Sequence, residues 1–339
     1  MTLRAALVGC GRIASGMADD PLMAGDIFTH AEAYVRSGAT ELVAVCDVDP
    51  GLARLCAERW GVGASYADVR AMLEEARPDI VSIATPDDTH FALARTILDH
   101  GPSVRALLCE KPLATSLDEA ADLVALAETR GVVLAVAHLR RYADNFRALK
   151  ALLDSGALGR IKGVTGWYTK GVLHNGVHWF DQLRMLAGEA LWVEAIDCLS
   201  EPGPDPTIDV QLGLESGALA TLRAGDMRDF TLFEMDLLTE RGRVLIQDSG
   251  YRIDLFRAAP SPRYSNYVEL EPMPTELGDR RDMMLHAVDD LAAAVRGGRP
   301  PACSGADGLA ALRIGTAALK AATTRQRVGL GDGLPIMDR

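Results

Sequence analysis

The sequence has no Cys-x-x-Cys pair and no apolar run near the length of a membrane-spanning helix. Its six cysteines, at positions 10, 46, 56, 109, 198 and 303, are scattered, several inside apolar runs as small core residues. That distribution argues against a disulfide scaffold and for a reduced, cytoplasmic setting. The apolar start, Leu3 to Gly9, is too short for a signal-peptide core and runs straight into what reads as a folded element. Cationic side chains are also scarce: 35 Lys and Arg against 47 Asp and Glu leave a net charge of −12. No basic cluster is dense enough to neutralise phosphates, which argues against a nucleic-acid partner and an anionic membrane surface. Internal repeats are absent.

What remains is an ordinary globular composition, 48% hydrophobic and 24% charged, over 339 residues, a length that favours two domains. Leu3–Val8 reads as a buried strand that enters Gly9-Cys10-Gly11-Arg12-Ile13-Ala14. In this G-x-G-x-x-A pattern Gly9 permits the tight turn, Gly11 lets a pyrophosphate approach the backbone, and Ala14 lets helix pack on strand. Free N–H groups of the helix start, around Arg12 and Ile13, complete an anion site. A second strand, Glu41–Cys46, ends at Asp47, where a carboxylate takes the adenine ribose hydroxyls and repels a 2′-phosphate, favouring NAD over NADP. The glycine-to-acid spacing exceeds the usual roughly 20 residues. The excess falls in Met17 to Phe28, read as an irregular insertion near the cofactor crevice.

Strands at Ile80–Ala84, Leu107–Cys109 and Val132–Ala137 alternate with helices at Phe91–Leu98 and Asp118–Arg130, the pattern of a parallel sheet. Leu107-Leu108-Cys109 ends abruptly in Glu110-Lys111-Pro112. A strand buried on both faces can carry a lysine only at its end, where the ammonium reaches the crevice in which such sheets bind ligands.

Further on, a helix is expected over Asn145–Leu153 and a strand over Ile161–Tyr168, followed by Lys170-Gly171-Val172-Leu173-His174-Asn175-Gly176-Val177-His178-Trp179-Phe180-Asp181. On a helix His174 and His178 share a face, but with no H-E-x-x-H glutamate and no third ligand nearby, no metal is expected. Ile208–Leu212, Ala218–Arg223, Phe230–Leu238 and Arg243–Ile246 alternate with period two, as an antiparallel sheet with one packed face does. Pro260-Ser261-Pro262 reads as a loop, Arg281–Val295 and Gly305–Thr323 as closing helices, and Gly329–Arg339 as a tail. The expected architecture is an α/β Rossmann domain with a parallel sheet over 1–137. An α+β domain with a large, mostly antiparallel open sheet then covers 138–339.

The glycine motif, Thr85-Pro86 followed by His90, and Cys109-Glu110-Lys111-Pro112, in that order, resemble the glucose-fructose oxidoreductase, inositol dehydrogenase and MocA (Gfo/Idh/MocA) family over nearly the whole chain. The resemblance implies that Lys111 is catalytic, lying beside nicotinamide and substrate, and that the peptide before Pro112 is often cis. It also implies that Thr85, Pro86, His90 and Glu110 border the cofactor. Arg140, in the turn His138–Tyr142, would stand near the nicotinamide or substrate; the alternative is that Arg140 and Arg141 tie the domains together through carboxylates.

The family's second signature is matched by Gly176, His178 and Asp181, whereas His174 stands where an aspartate is usual. An aspartate would raise the basicity of the catalytic histidine. Its replacement therefore puts the role of His174 in doubt and is read as substrate tuning. The implied activity is NAD-dependent hydride transfer at a secondary alcohol or ketone of a sugar, nucleotide sugar or cyclitol, in a direction the sequence leaves open. His178 would take the proton, Lys111 would bond the same oxygen, and Lys170, His174, Asn175 and Asp181 would contact substrate. The alternatives are an NAD-dependent glycosidase and a non-catalytic cofactor-binding regulator. In the resembled family such an open sheet supports subunit contacts, so the resemblance implies a homodimer or homotetramer.

Overall fold

The structure is a computed structural model that describes residues 2–200 and 202–331; most of the expected tail, 332–339, lies outside the described residues. The chain divides into two compact units, Met1–Ala143 with Arg281–Ala310, and Asp144–Arg280 with Ala311–Arg339.

The first unit runs β1 (Leu3–Val8), α1 (His30–Arg36), β2 (Thr40–Cys46), α2 (Pro50–Trp60), β3 (Ser65–Tyr66), α3 (Val69–Ala76), β4 (Ile80–Ile83), α4 (His90–His100), β5 (Ala106–Cys109), α5 (Leu117–Arg130) and β6 (Val133–Val136). The strands pair in parallel in the order β3-β2-β1-β4-β5-β6, the doubly wound arrangement. Every residue of β4 and β5 is buried, which is why these runs carry no polar alternation. The sequence showed five strands; β3, two residues at the sheet edge, is too short to leave a periodicity. Asp49, Asp68 and Ser116 cap α2, α3 and α5 with side-chain oxygens, and Gly61 and Gly131 end α2 and α5 in the left-handed conformation.

One expectation changes in form. The glycine motif leads not into a continuous helix but into a single turn, with Ser15 N–H bonded to Gly11 O at 3.0 Å. An excursion then makes two short 3₁₀ turns, Gly16–Asp19 and Pro21–Met23. The helix resumes at α1, where His30 N–H bonds to Ile13 O at 3.2 Å and Ala31 N–H to Ala14 O at 2.9 Å. The insertion is thus a bulge out of one helix, whose carbonyls on the near side are satisfied by amides on the far side.

The second unit holds α6 (Asp144–Asp154), β7 (Ile161–Tyr168), a π-helical segment Gly171–Gly176, α7 (Val177–Ala187), β8 (Ala190–Ile196), β9 (Asp209–Leu214), β10 (Leu219–Ala224), β11 (Phe233–Thr239), β12 (Gly242–Gln247), β13 (Arg252–Pro260) and β14 (Val268–Pro272). After these come α8 (Met283–Gly297), α9 (Gly305–Thr324) and β15 (Val328–Gly329). Nine strands form one sheet in the order β14-β13-β12-β11-β7-β10-β9-β8-β15, antiparallel except for β7 beside β10. Four strands, β8, β13, β14 and β15, were not expected from the sequence, and the expected strand start at Phe230 moves to Phe233. β13 and β14 form the outer hairpin of the sheet with few buried residues; Val268-Glu269-Leu270-Glu271 alternates in sequence, but its apolar side chains are exposed. α7 packs through Trp179, whose indole N–H donates to Glu234 O at 3.0 Å.

The division places Arg281–Ala310 with the Rossmann residues, whereas the sequence reading counted it in the second part. The reason is local pairing. α8 packs on α1 and on the turn Leu139–Tyr142. Cys303 O accepts from Val136 N–H at 3.2 Å, and Ser304 bridges Ala135, covering the outer edge of β6.

Candidate functional site

The candidate residues fall into two sets, one in each unit. In the first unit the carboxyl ends of the strands are aligned by continued parallel pairing: Gly9 N–H to Cys46 O at 2.8 Å, Ala84 N–H to Val8 O at 2.8 Å, Glu110 N–H to Ile83 O at 3.0 Å and Ala137 N–H to Cys109 O at 2.8 Å. Gly9, Asp47, Thr85, Pro86, Glu110 and Lys111 therefore share the carboxyl end of the sheet, where strand order reverses about β1.

Gly9 has φ +92°, and a Cβ there would lie 2.4 Å from Ala84 O and 2.8 Å from Thr85 Cγ2. Two strand ends meet too closely at this point for any side chain. At Gly11 the opposite holds: a Cβ would have nothing within 4 Å. Gly11 and Arg12 are exposed and Ile13 is half-buried. The space over Gly11 is open, and the residues fit a pyrophosphate laid against that backbone. Asp47 lies half-buried beside this turn. One of its oxygens accepts from Cys10 N–H at 2.8 Å and the other from Asp49 N–H at 2.9 Å. A carboxylate retains lone pairs for ribose hydroxyls after two such bonds.

His90 is wholly buried, with Nδ1 2.7 Å from Pro112 O and Nε2 3.0 Å from Thr85 O. It contributes the relative position of the Thr85-Pro86 and Lys111-Pro112 loops. The Lys111–Pro112 peptide is cis, as the resemblance implied. Lys111 is half-buried.

Glu110 is held from behind. Its Oε1 lies 3.0 Å from His30 Nε2, and its Oε2 accepts from Lys111 N–H at 3.3 Å. His30 Nδ1 lies 3.1 Å from Ser82 Oγ, which lies 2.7 Å from Tyr34 Oη. Burial raises the Glu110 carboxyl, but the His30 bond and the nearby Lys111 outweigh it and hold it below the ordinary glutamate range. His30 was not found from the sequence, because it sits on the far side of the excursion from the glycines. In the turn Leu139–Tyr142, Arg141 pairs with Asp307 at 3.1 Å and donates to Ala302 O at 3.2 Å. That carboxylate belongs to the same unit as Arg141. Arg140 is half-buried.

In the second unit Lys170 is exposed, at φ +69°, and opens the π-helical segment that carries His174 into α7. Such π turns recur at functional sites. The four amides at its start are fully accounted for by one distant loop. Gly171 N–H donates to Thr207 Oγ1 at 3.0 Å and Val172 N–H to Pro206 O at 3.1 Å. Leu173 N–H and His174 N–H donate to the two oxygens of Asp205 at 2.7 and 2.8 Å. Asp205 thus places a carboxylate beside His174. Burial raises its carboxyl, against the lowering effect of these amides and of His174. Asn175 turns back to donate to Thr169 O at 2.9 Å. His174 is exposed, His178 half-buried, and Asp181 buried at 1% exposure. The Asp205 cap was not legible in the sequence, since no local spacing links it to the histidines. Among the described residues, no group of three or more His, Cys, Asp or Glu side chains is placed to hold a metal ion. No helix among them is long and apolar enough to cross a membrane.

The strand order, the glycine turn and the acid after β2 define a dinucleotide-binding domain, followed by a domain built on a large mixed sheet. Two family profiles match the chain: "Oxidoreductase family, NAD-binding Rossmann fold" over residues 3–138, and "Oxidoreductase family, C-terminal alpha/beta domain" over residues 150–330. The chain belongs to the Gfo/Idh/MocA oxidoreductase family.

Among relatives, myo-inositol 2-dehydrogenase of Thermotoga maritima is 24% identical over 97% of this chain and 98% of its own length. Inositol 2-dehydrogenase of Rhizobium meliloti is 26% identical over 97% of this chain and all of its own length, 100%. D-glucoside 3-dehydrogenase of Escherichia coli is 31% identical, but the match spans only 49% of this chain and 46% of that enzyme, about half its length. Of solved structures, levoglucosan dehydrogenase in complex with NADH superposes with a TM-score of 0.81 at 19% identity, covering 98% of this chain and 100% of that one. An oxidoreductase from Agrobacterium radiobacter, in complex with NAD+, L-tartaric acid and magnesium, does so with 0.78 at 22% identity, covering 97% and 99%. At these identities the likeness is one of fold.

Proposed function

We propose that this chain is an NAD-dependent dehydrogenase acting on a secondary alcohol of a sugar, nucleotide sugar or cyclitol, or on the matching ketone in reverse. The observation that carries the reading is Lys111, set at the carboxyl end of β5 with its backbone held by Glu110. Relatives of full-length overlap are named as inositol dehydrogenases, and shorter matches as glucoside and apiose dehydrogenases. These names favour net oxidation over a glycosidase or a non-catalytic regulator.

Gly9, Gly11, Arg12, Ile13, Asp47, Thr85 and Pro86 would hold NAD, which when bound supplies the hydride acceptor. His178 takes the proton from the carbinol hydroxyl. Lys111 donates a hydrogen bond to that oxygen and offsets the negative charge developing on it. Lys170, His174, Asn175, Asp181 and Arg140 orient the polyhydroxylated substrate, with Asp205 supplying a fixed carboxylate behind His174. The exposed apolar residues Trp167, Leu219 and Leu238 on the second unit's strands support a contact with a second copy of the chain. Six cysteines without a disulfide among them, five of them buried, support a cytoplasmic setting. Lys111→Ala and His178→Ala test the assignment: each should abolish substrate-dependent NADH formation, and full turnover in both would refute it.

A further inference from the structure

Glu110 is an acid that the proposed chemistry does not itself use. It is only 12% exposed at its side chain, and it directly precedes Lys111. A carboxylate removed from water persists only if its lone pairs are occupied, and here each oxygen has one donor, His30 and the Lys111 amide. The chain of bonds behind it has a direction. Ionised, Glu110 can only accept, so His30 Nε2 must carry the proton it donates. His30 Nδ1 is then free to accept from the Ser82 hydroxyl, and Ser82 in turn accepts from the Tyr34 hydroxyl. In that arrangement every proton in the chain has an acceptor.

His30, Ser82 and Tyr34 are each fully buried, at 0% exposure. Ser82 lies in β4, and Tyr34 is one helical turn after His30 on α1, so the ring is fixed from a strand and from its own helix. The end of the excursion before α1 is fixed as well. Asp282 N–H donates to Asp26 at 2.8 Å, and Ile27 N–H donates to Asp282 at 2.8 Å. The bulge in the first helix is thus anchored so that His30 returns to meet Ser82 of β4 and Glu110 just past β5.

We propose that His30 is a positioning residue for Lys111, acting through the Glu110 carboxylate, with Ser82 and Tyr34 selecting the tautomer that donates to it. The inference rests on the reading of Lys111 as catalytic. Without His30, Glu110 loses the donor that fixes its side chain, and the carboxylate no longer holds the Lys111 backbone. The effect falls on turnover more than on dinucleotide binding, because none of the hydrogen-bonded side chains of Tyr34, Ser82, His30 and Glu110 belongs to the glycine turn or to Asp47, the residues assigned to the pyrophosphate and ribose.

The test uses the full chain and the best substrate from a panel of sugars and inositols, with His30→Leu, His30→Gln, Ser82→Ala and Lys111→Ala. His30→Leu should lower kcat by about ten- to a hundredfold, by analogy with the loss of the partners that orient metal-ligating side chains, with the Kd for NADH unchanged. His30→Gln keeps an N–H donor toward Glu110 and should restore most of kcat. Ser82→Ala, which changes little volume, should lower kcat less than His30→Leu and remain folded even where that variant does not.

A second readout needs no substrate. With nitrogen-labelled histidine, the NMR spectrum should show His30 protonated at Nε2 and bare at Nδ1, and Ser82→Ala should perturb that signature. Full turnover by Lys111→Ala overturns the reading of Lys111, and the proposal falls with it. An inactive Lys111→Ala alongside unchanged kcat in His30→Leu and Ser82→Ala overturns the proposal alone. So does an Nδ1-protonated His30, or equal losses in His30→Leu and His30→Gln.

Discussion

Gly9 and Gly11 are two residues apart in one motif, yet the structure assigns them opposite costs. In Gly9→Ala the new methyl meets Ala84 O at 2.4 Å, the Ala84 carbonyl carbon at 2.7 Å and Thr85 Cγ2 at 2.8 Å, on a residue whose φ is +92°. Two of these three atoms are backbone of the neighbouring strand end and cannot rotate away. A left-handed backbone costs a non-glycine residue about 1–2 kcal/mol. Overpacking adds about 1–3 kcal/mol, so Gly9→Ala should lose about 2–5 kcal/mol. That is a large share of the roughly 5–15 kcal/mol by which a protein is stable.

Gly11→Ala meets nothing within 4 Å. Its stability should match the wild type to about 0.5 kcal/mol. The methyl does, however, fill the space assigned to the pyrophosphate. An overpacking cost of about 1–3 kcal/mol on the complex corresponds to NADH binding weakened about five- to 150-fold. Urea unfolding and NADH fluorescence titration separate the two variants. Unchanged stability in Gly9→Ala, or unchanged NADH affinity in Gly11→Ala, would refute the account of how this turn is built.

Two carboxyls should tilt the pH dependence of stability in opposite senses. Glu110 is held below its ordinary range by His30 and Lys111 against burial, so its contribution is present above the unfolded value and lost as pH falls through the folded one. Glu110→Gln should therefore flatten the acid side of a urea-stability profile. Asp205 is raised by burial, so its contribution is full below the ordinary aspartate range and lost as pH rises through its raised value. Asp205→Ala should remove that slope. By leaving the Leu173 and His174 amides without acceptors, it should also cost about 1–2 kcal/mol, read by the same unfolding measurement.

Much of the Rossmann unit was legible because its determinants are local. β4 and β5 are short runs buried on both faces, and Gly9, Asp47 and Lys111 each sit one residue or a few past a strand end. What the sequence concealed is what tertiary contact supplies. His30 follows an excursion whose length has no pattern, and its partners Ser82 and Glu110 come from two other strands or strand ends. Asp205 reaches the π-helical segment from a loop between β8 and β9. The His174 departure looked like the loss of a nearby carboxylate. The structure supplies one from elsewhere in the chain. β13 and β14 escaped although Arg252-Ile253-Asp254-Leu255 and Val268-Glu269-Leu270-Glu271 alternate, because these short runs bury little: Val268 and Leu270 stay exposed.

The central claim is that Lys111 and His178 carry hydride and proton transfer at a carbinol carbon. One measurement addresses it most directly: absorbance at the NADH band across a panel of sugars, nucleotide sugars and inositols, for the wild type, Lys111→Ala and His178→Ala. The account predicts NADH formation from at least one member by the wild type and from none by either variant. Equal rates in all three proteins, or NADH binding by the wild type with no turnover of any panel member in either direction, would contradict it.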